Sequence, residues 1–262
     1  MRQKQQVIYC PHGFSFLVKT SFIKLKLFTL CELFLSKFTR SIICVGEYEY
    51  TKSVEIGFSK EKLCLISNGV DLPKEKITKK HNNLNQYNLL FVGRFDRQKG
   101  VDTLLEALKT LDDKKLDFSI KLTMIGSTIN SDSKIVFPNF KNIVVEYTGW
   151  ISKEAIGEYY RSSDCLIVSS RWEGFAMVPL EAMSFNLPII TSDIQAFNEI
   201  NKVSKLFFNC GNSSSLASII SCINTYDLDG MSERLMKRMT EHYTRERMNN
   251  MTIKLYSDCL QG

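Results

Sequence analysis

Short apolar runs alternating with amphipathic stretches constrain this chain more than any other feature. Leu89-Leu90-Phe91-Val92 and Cys165-Leu166-Ile167-Val168 are too short for independent helices and carry no polar alternation. Such runs read as strands buried on both faces, as in a parallel sheet covered by helices. The pattern predicts strands over 7–10, 41–45 and 62–67, with helices over 21–38 and 48–56. After residue 87 a second series predicts strands over 88–92, 120–125, 143–147, 165–168, 188–191 and 205–208. Helices are expected over 101–111, 153–161, 178–185 and 193–200, with a helical remainder. Asn68-Gly69 reads as a turn signal. Residues 72–88 shift towards Lys, Asn and Gln and read as a linker. The expected organisation is a partial N-terminal domain over 1–75, a linker over 76–87 and a ligand-binding domain over 88–240. A C-terminal helix over 241–262 is expected to pack back towards the first domain.

Composition excludes several classes. Of the 262 residues, 44% are hydrophobic and 24% charged, as in ordinary globular proteins. The net charge of +6 suits anionic small molecules or an anionic membrane surface. No nucleic-acid signature accompanies it, so no nucleic-acid partner is expected. The eight cysteines never form a C-x-x-C pair, and most sit in apolar sequence, as buried thiols do. They imply a reducing compartment with no disulfide framework and no zinc site. The three histidines, His12, His81 and His242, are too scattered for a local metal cluster. The N-terminus lacks the apolar core of a signal peptide. The most lipid-like segment, 19–40, is interrupted by Lys24, Lys26, Glu32 and Lys37, so it is too broken to span a bilayer.

Two strand-to-helix junctions carry candidate chemistry. Gly93-Arg94-Phe95-Asp96-Arg97-Gln98-Lys99-Gly100 has glycines at both ends and three cations between. It matches neither G-x-G-x-x-G nor the P-loop. A helix starting near Gly100 would still direct free N–H groups into the loop. Arg94 could grip phosphate oxygens as a fork, with Lys99 as a point charge. A solvated basic loop fits the spacing equally well. The second junction is Glu173-Gly174-Phe175-Ala176-Met177-Val178-Pro179-Leu180-Glu181. Glu173 falls at a turn that can face a reacting centre. Glu181, deeper in the helix, could accept hydrogen bonds from a diol. The N–H groups of Phe175, Ala176 and Met177 gather at the helix start, where negative charge is favoured. A helix-start carboxylate and an ordinary surface glutamate is the plainer alternative.

Together these loops resemble the retaining GT-B glycosyltransferases of family four. The resemblance rests on the E-x7-E pattern at Glu173 and Glu181 in the context Ser169-Ser170-Arg171-Trp172-Glu173-Gly174-Phe175. It rests also on Gly93-Arg94 with Lys99-Gly100, on Asn68-Gly69-Val70-Asp71, on Thr148-Gly149-Trp150 and on Pro188-Ile189-Ile190-Thr191. It runs from about Val7 to Leu260. It implies a GT-B-like α/β fold of two Rossmann-like, doubly wound parallel-sheet domains. It also implies transfer of a sugar from a nucleotide diphosphate sugar (UDP-, GDP- or similar) to a hydroxyl acceptor, with retention and without a metal or other cofactor. Gly93, Arg94 and Lys99 would hold the diphosphate, and Glu181 the ribose. Glu173, as a catalytic group, would contact the donor sugar, backbone N–H groups from Phe175 to Met177 would hold sugar hydroxyls and phosphate, and Gly174 would belong to the same binding turn. His12, after the first strand, would face the donor; a plain turn histidine is the other reading. Ala176 replaces the family's usual second glycine, which either narrows the sugar pocket or is harmless if φ is negative.

The resemblance further implies a saccharide or lipid-linked saccharide acceptor in bacterial capsule or lipopolysaccharide O-antigen assembly. It implies a cytoplasmic location with peripheral contact at the inner membrane. The basic, aromatic helix over 21–38 could supply that contact, but a helix covering the sheet with one apolar face is the favoured reading. The first strands of such an N-terminal domain have no counterpart upstream, so that domain is expected to be incomplete. The alternatives are a non-catalytic nucleotide-sugar-binding remnant and one half of a split glycosyltransferase.

Overall fold

The computed structural model describes residues 6–18, 20–74, 85–128 and 137–261. Three parallel strands, β1 (Ile8–Tyr9), β2 (Ser41–Cys44) and β3 (Leu63–Leu65), form a first sheet in that order. They are connected by α1 (Phe22–Ser36) and α2 (Glu47–Ile56). The second sheet holds β4 (Gln86–Val92), β5 (Ser119–Ile125), β6 (Ile143–Gly149), β7 (Cys165–Val168), β8 (Ile189–Ser192) and β9 (Phe207–Phe208). Its order is β6-β5-β4-β7-β8-β9, every pair parallel. The helices are α3 (Val101–Asp112), α4 (Ile156–Ser162), α5 (Met177–Ser184), α6 (Gln195–Ile200), α7 (Ser213–Ser221), α8 (Leu228–His242) and α9 (Arg245–Gln261).

The unalternating apolar runs have a direct structural cause. Side chains alternate faces along a strand, and here both faces are covered. Leu89, Phe91 and Ile167 pack with Leu104 and Leu108 of α3 and Ile220 of α7. Leu90, Leu166 and Val168 point the other way, against Leu180 of α5 and Leu235 of α8. A separate cluster of Phe14, Phe16, Ile42, Cys44, Phe58 and Leu63 holds the first sheet together.

Four sequence expectations need correction. The linker expected over 76–87 lies mostly outside the described residues, and its end is strand: Gln86 and Tyr87 pair with Ser119 and Ile120. Polar Gln86, just before the expected strand start at Asn88, hid this. The Asn88 N–H donates to Asp164 Oδ2 at 2.7 Å, so the polarity is used at the sheet's end. The Asn68-Gly69 turn is instead a crossing segment. Val70 N donates to Tyr243 O at 2.9 Å, and Arg245 N donates to Val70 O at 3.0 Å. A Cβ on Gly69 would lie 2.3 Å from Thr244 O, so only glycine permits this approach.

The helix over 21–38 does not cover the sheet with one apolar face. Leu25 and Leu33 pack inward, but Glu32 is the buried residue of α1. Phe22, Ile23, Leu27, Leu30 and Phe34 are exposed. A helix that is apolar all round cannot turn every apolar group to one side. Its single acid turns inward because Ser15 Oγ and Tyr9 OH donate to Glu32 Oε1, at 2.9 and 3.4 Å. The cysteines also differ from expectation. Cys44, Cys165 and Cys259 are buried, whereas Cys31, Cys210 and Cys222 are exposed; no disulfide joins the eight.

The two sheets meet along a seam. Ser41 Oγ lies 3.5 Å from Cys259 Sγ of α9. Glu199 of α6 accepts a hydrogen bond from Glu47 N, at the start of α2, at 2.7 Å. Burial raises the Glu199 pKa from 4.5 to about 7, against the N–H bonds that favour its charged form. A raised carboxyl pKa means that the folded chain holds a proton the unfolded chain has released. Stability from this group is present below pH 4.5 and lost as pH rises to about 7. Denaturant melts of wild type and Glu199→Gln across that window test this. The wild type should lose up to roughly 1 kcal/mol per pH unit more than the variant. Parallel curves would contradict the assignment.

Candidate functional site

Strands β4 and β7 are neighbours at the centre of the larger sheet, although β5 and β6 intervene in sequence. From β4 the chain moves out to β5 on one side. From β7 it moves to β8 on the other. The crevice beyond the carboxyl ends of two such strands is where open parallel sheets bind ligands. Both candidate loops leave from it, Gly93–Gly100 after β4 and Ser169–Ala176 after β7.

The loops are laced together by backbone and side chain. Ser169 Oγ donates to Lys99 O at 2.8 Å, and Arg171 N donates to Gln98 O at 2.7 Å. Gln98 Nε2 donates to Trp172 O at 3.2 Å. Arg171 forms a fork on Asp102, with N–O distances of 2.6 and 2.7 Å, and also donates to Arg97 O. Gly100 has φ +65, and a Cβ there would sit 2.0 Å from Ser169 O.

Across this junction Lys99 Nζ meets Glu173 Oε1 at 2.6 Å. Ser170 Oγ donates to the same oxygen at 2.7 Å. The cation expected on a diphosphate and the carboxylate expected on a sugar are therefore partners. Arg94 is held within its own loop, with NH2 donating to Gln98 Oε1 at 2.8 Å and Nε 3.3 Å from Asp96 Oδ2. Its side chain remains 41% exposed, so the guanidinium is accessible. Gly93 lies against the methylene stem of Lys99.

Glu181 stands one turn into α5 and lines a cavity of about 600 Å³ with Trp150, Tyr160, Met177 and the crossing residues Val70 and Asp71. Tyr160 OH donates to Glu181 Oε2 at 2.8 Å. Phe175 is wedged at the seam, its ring 6.1 Å from that of Tyr243. The N-cap residue of α5, Ala176, has no side chain that can cap the first N–H groups of the helix, which begins at Met177. Ala176 precedes it with φ −91, an ordinary conformation for alanine, and its methyl packs into the core. The substitution of the usual glycine thus imposes no backbone strain.

His12 approaches from the other sheet. A Cβ on Gly174 would lie 3.1 Å from Gly13 Cα and 3.5 Å from His12 O, so the two loops touch. His12 itself has φ +50 and an exposed ring, with Nε2 3.6 Å from Cys10 Sγ. Buried Glu49 fastens this loop, accepting from Phe14 N at 3.2 Å and Val45 N at 2.7 Å. Among the described residues no group of three His, Cys, Asp or Glu side chains gathers to hold a metal ion.

A family model described as glycosyl transferases group 1 matches residues 73–243, more than half of the chain. The chain belongs to this family. A 41.2 kDa protein of the cps region of Klebsiella pneumoniae is 31% identical over 264 residues, covering 97% of this chain and 72% of that protein. The O-antigen biosynthesis glycosyltransferase WbnH of Escherichia coli is 29% identical, covering 71% of this chain and 51% of its own length. Another E. coli relative, UDP-Gal:alpha-D-GlcNAc-diphosphoundecaprenol alpha-1,3-galactosyltransferase, is 28% identical over 73% of this chain and 52% of that enzyme. The chain thus spans about half the length of these two E. coli relatives. Among solved structures, sucrose-phosphate synthase of Thermosynechococcus elongatus superposes with TM-score 0.78 at 19% identity, over 99% of this chain and 69% of that one. Anabaena Alr3699/HepE in complex with UDP and glucose gives 0.76 at 19%, over 97% and 72%. The expected GT-B architecture is therefore the fold of this family member.

Sequence reasoning overlooked Ser170, Tyr160, Glu49 and the Arg171–Asp102 fork. Ser170 and Arg171 stand beside Glu173 in the motif, a local signal. Tyr160 and Glu49 lie in unremarkable helices and left none.

Gly100 offers a test of the lacing. Gly149 also has positive φ, +70, but nothing lies within 4 Å of a Cβ placed there. Gly149→Ala should cost about 1 kcal/mol of unfolding free energy from backbone strain alone. Gly100→Ala adds a backbone collision and should cost about 3 kcal/mol or more. Equal losses in denaturant melts would show that the loops are not held by this contact.

Proposed function

We propose that the crevice binds a nucleotide diphosphate sugar and that the protein transfers the sugar to a hydroxyl acceptor with retained anomeric configuration. The observation that carries this reading is the convergence at one crevice of four features: a basic loop, an uncapped helix start, Glu173, and a cavity lined by Glu181. The cavity is largely apolar and of a size that suits a nucleoside. Glu181 at its wall accepts the ribose hydroxyls. Arg94, Lys99 and the first N–H groups of α5 neutralise the diphosphate as the glycosidic bond to it breaks, an electrostatic role that needs no metal. Glu173 contacts the sugar, and His12 faces it across the seam. Lys99 is then shared: diphosphate oxygens compete with Glu173 for its ammonium, which couples donor binding to the position of Glu173.

The relatives support the donor and acceptor classes. Their names include a UDP-Gal-dependent transferase acting on a diphosphoundecaprenol-linked sugar and an O-antigen glycosyltransferase. A saccharide or lipid-linked saccharide acceptor in surface-polysaccharide assembly fits this chain equally.

Glu173→Gln and Arg94→Ala test the reading in a donor-hydrolysis and transfer assay with UDP- and GDP-sugars. Each should lower kcat/KM by about 100-fold or more, the usual cost of removing a group that acts on developing charge. Unchanged rates in both variants would sink the assignment. Tight nucleotide binding without turnover in the wild type would favour a binding protein over an enzyme.

A further inference from the structure

Tyr160 is a buried group whose polar atom is directed at the proposed site, and it has no role in the donor binding proposed above. Its side chain is 1% exposed, and its hydroxyl donates to Glu181 Oε2 at 2.8 Å. The ring is fixed by stacking on Phe185, with centroids 5.3 Å apart and planes inclined by 27°. Phe185 is covered in turn by the Arg161 guanidinium, 5.1 Å from its centroid. Burial, reinforced by the Glu181 charge, pushes the phenol pKa far above its ordinary value. Tyr160 therefore stays protonated and acts on the carboxylate as a donor.

From this geometry we infer that Tyr160 is the positioning residue for Glu181 and sets the selectivity for a ribose diol, an inference that rests on the assignment of Glu181 to ribose. A glutamate has three side-chain torsions to lose on binding, and a free one would sweep the cavity wall. The bond from Tyr160 anchors Oε2 and leaves Oε1, with the second lone pair of Oε2, to accept two hydroxyl protons. A carboxylate held this way penalises a ligand that lacks one hydroxyl, because an acceptor covered by the bound ligand is left unpaired. An unanchored carboxylate turns to meet whichever hydroxyl remains and discriminates less. Tyr160 thus acts through Glu181 without touching the ligand. It lies on α4 whereas Glu181 lies on α5, so the contact also links α4 and its preceding loop, which carries Trp150 at the cavity, to the diol site.

The test is a calorimetric titration of wild type and Tyr160→Phe with UDP and GDP, followed by the 2′-deoxy and 3′-deoxy forms of whichever binds tighter. The wild type should bind the ribonucleotide about 10-fold or more tighter than either deoxy form. Tyr160→Phe keeps the ring and its stacking. It should bind the ribonucleotide about 10-fold more weakly and the deoxy forms nearly as the wild type does, so that the ratio collapses towards one. A variant that weakens on all three ligands alike would show a merely structural tyrosine and overturn the inference, as would a variant with the wild-type ratio. A wild type that ignores the hydroxyls, or binds neither nucleotide, would overturn the ribose assignment and this inference with it. A thermal melt of the variant accompanies the titrations. If Tyr160→Phe does not fold, Glu181→Gln replaces it: the amide keeps an acceptor for Tyr160 but loses the second hydroxyl acceptor, so the ratio must again fall. A retained ratio there overturns the inference.

Discussion

The site depends on one topological constraint: β4 and β7 are hydrogen-bonded neighbours although two strands intervene in sequence. Parallel pairing sends both chain ends out on the same side of the sheet, and the chain then departs in opposite directions to β5 and β8. The two loops that leave the pair are thereby forced into contact. Gly100 presses against Ser169 O, Gln98 spans to Trp172 O, and Lys99 reaches Glu173. None of these contacts is local. Each follows from the register of Leu89 on Cys165 and Leu90 on Leu166.

The Lys99–Glu173 pair changes how the site works. Side chains 21% and 8% exposed are shielded enough for the pair to feel little screening by salt. Glu173 does not depend on the lysine alone, because Ser170 also donates to it. A dianionic ligand can thus draw the ammonium away and leave a carboxylate that is still hydrogen-bonded and still fixed in place. The second unit contributes by contact. His12 and Gly13 lie against Gly174, held there by the buried Glu49, and Glu199 caps α2 across the seam. The crevice loops of one sheet and a histidine-bearing loop of the other therefore share one boundary.

Much of this was legible in the sequence for physical reasons. Strands buried on both faces write themselves as unbroken apolar runs, so the element order could be read directly, although ends shifted by a few residues: β4 begins earlier at polar Gln86, and β9 is confined to Phe207–Phe208. The E-x7-E spacing placed Glu173 at a loop and Glu181 on the helix behind it. The failures have one cause, which is that they depend on segments distant in the chain. Asn68-Gly69 looks like a turn until Thr244 lies against it. The apolar residues of α1 look like a core face, yet only Leu25 and Leu33 find the first sheet's cluster, and Glu32 goes inward because Tyr9 and Ser15 offer it hydroxyls. Lys99 and Glu173 stand 74 positions apart, and Tyr160 and Glu181 stand 21 apart, so neither pairing could be read from spacing.

The central claim is that the crevice after β4 and β7 receives a nucleotide diphosphate which takes Lys99 from Glu173. A crystal structure of the protein with a bound nucleoside diphosphate measures this directly. The account predicts diphosphate oxygens within hydrogen-bond reach of Arg94 and Lys99, ribose hydroxyls on Glu181, and a Lys99–Glu173 distance well beyond an ion pair. A nucleotide bound elsewhere, or bound here with the Lys99–Glu173 contact still at its present 2.6 Å, would contradict it.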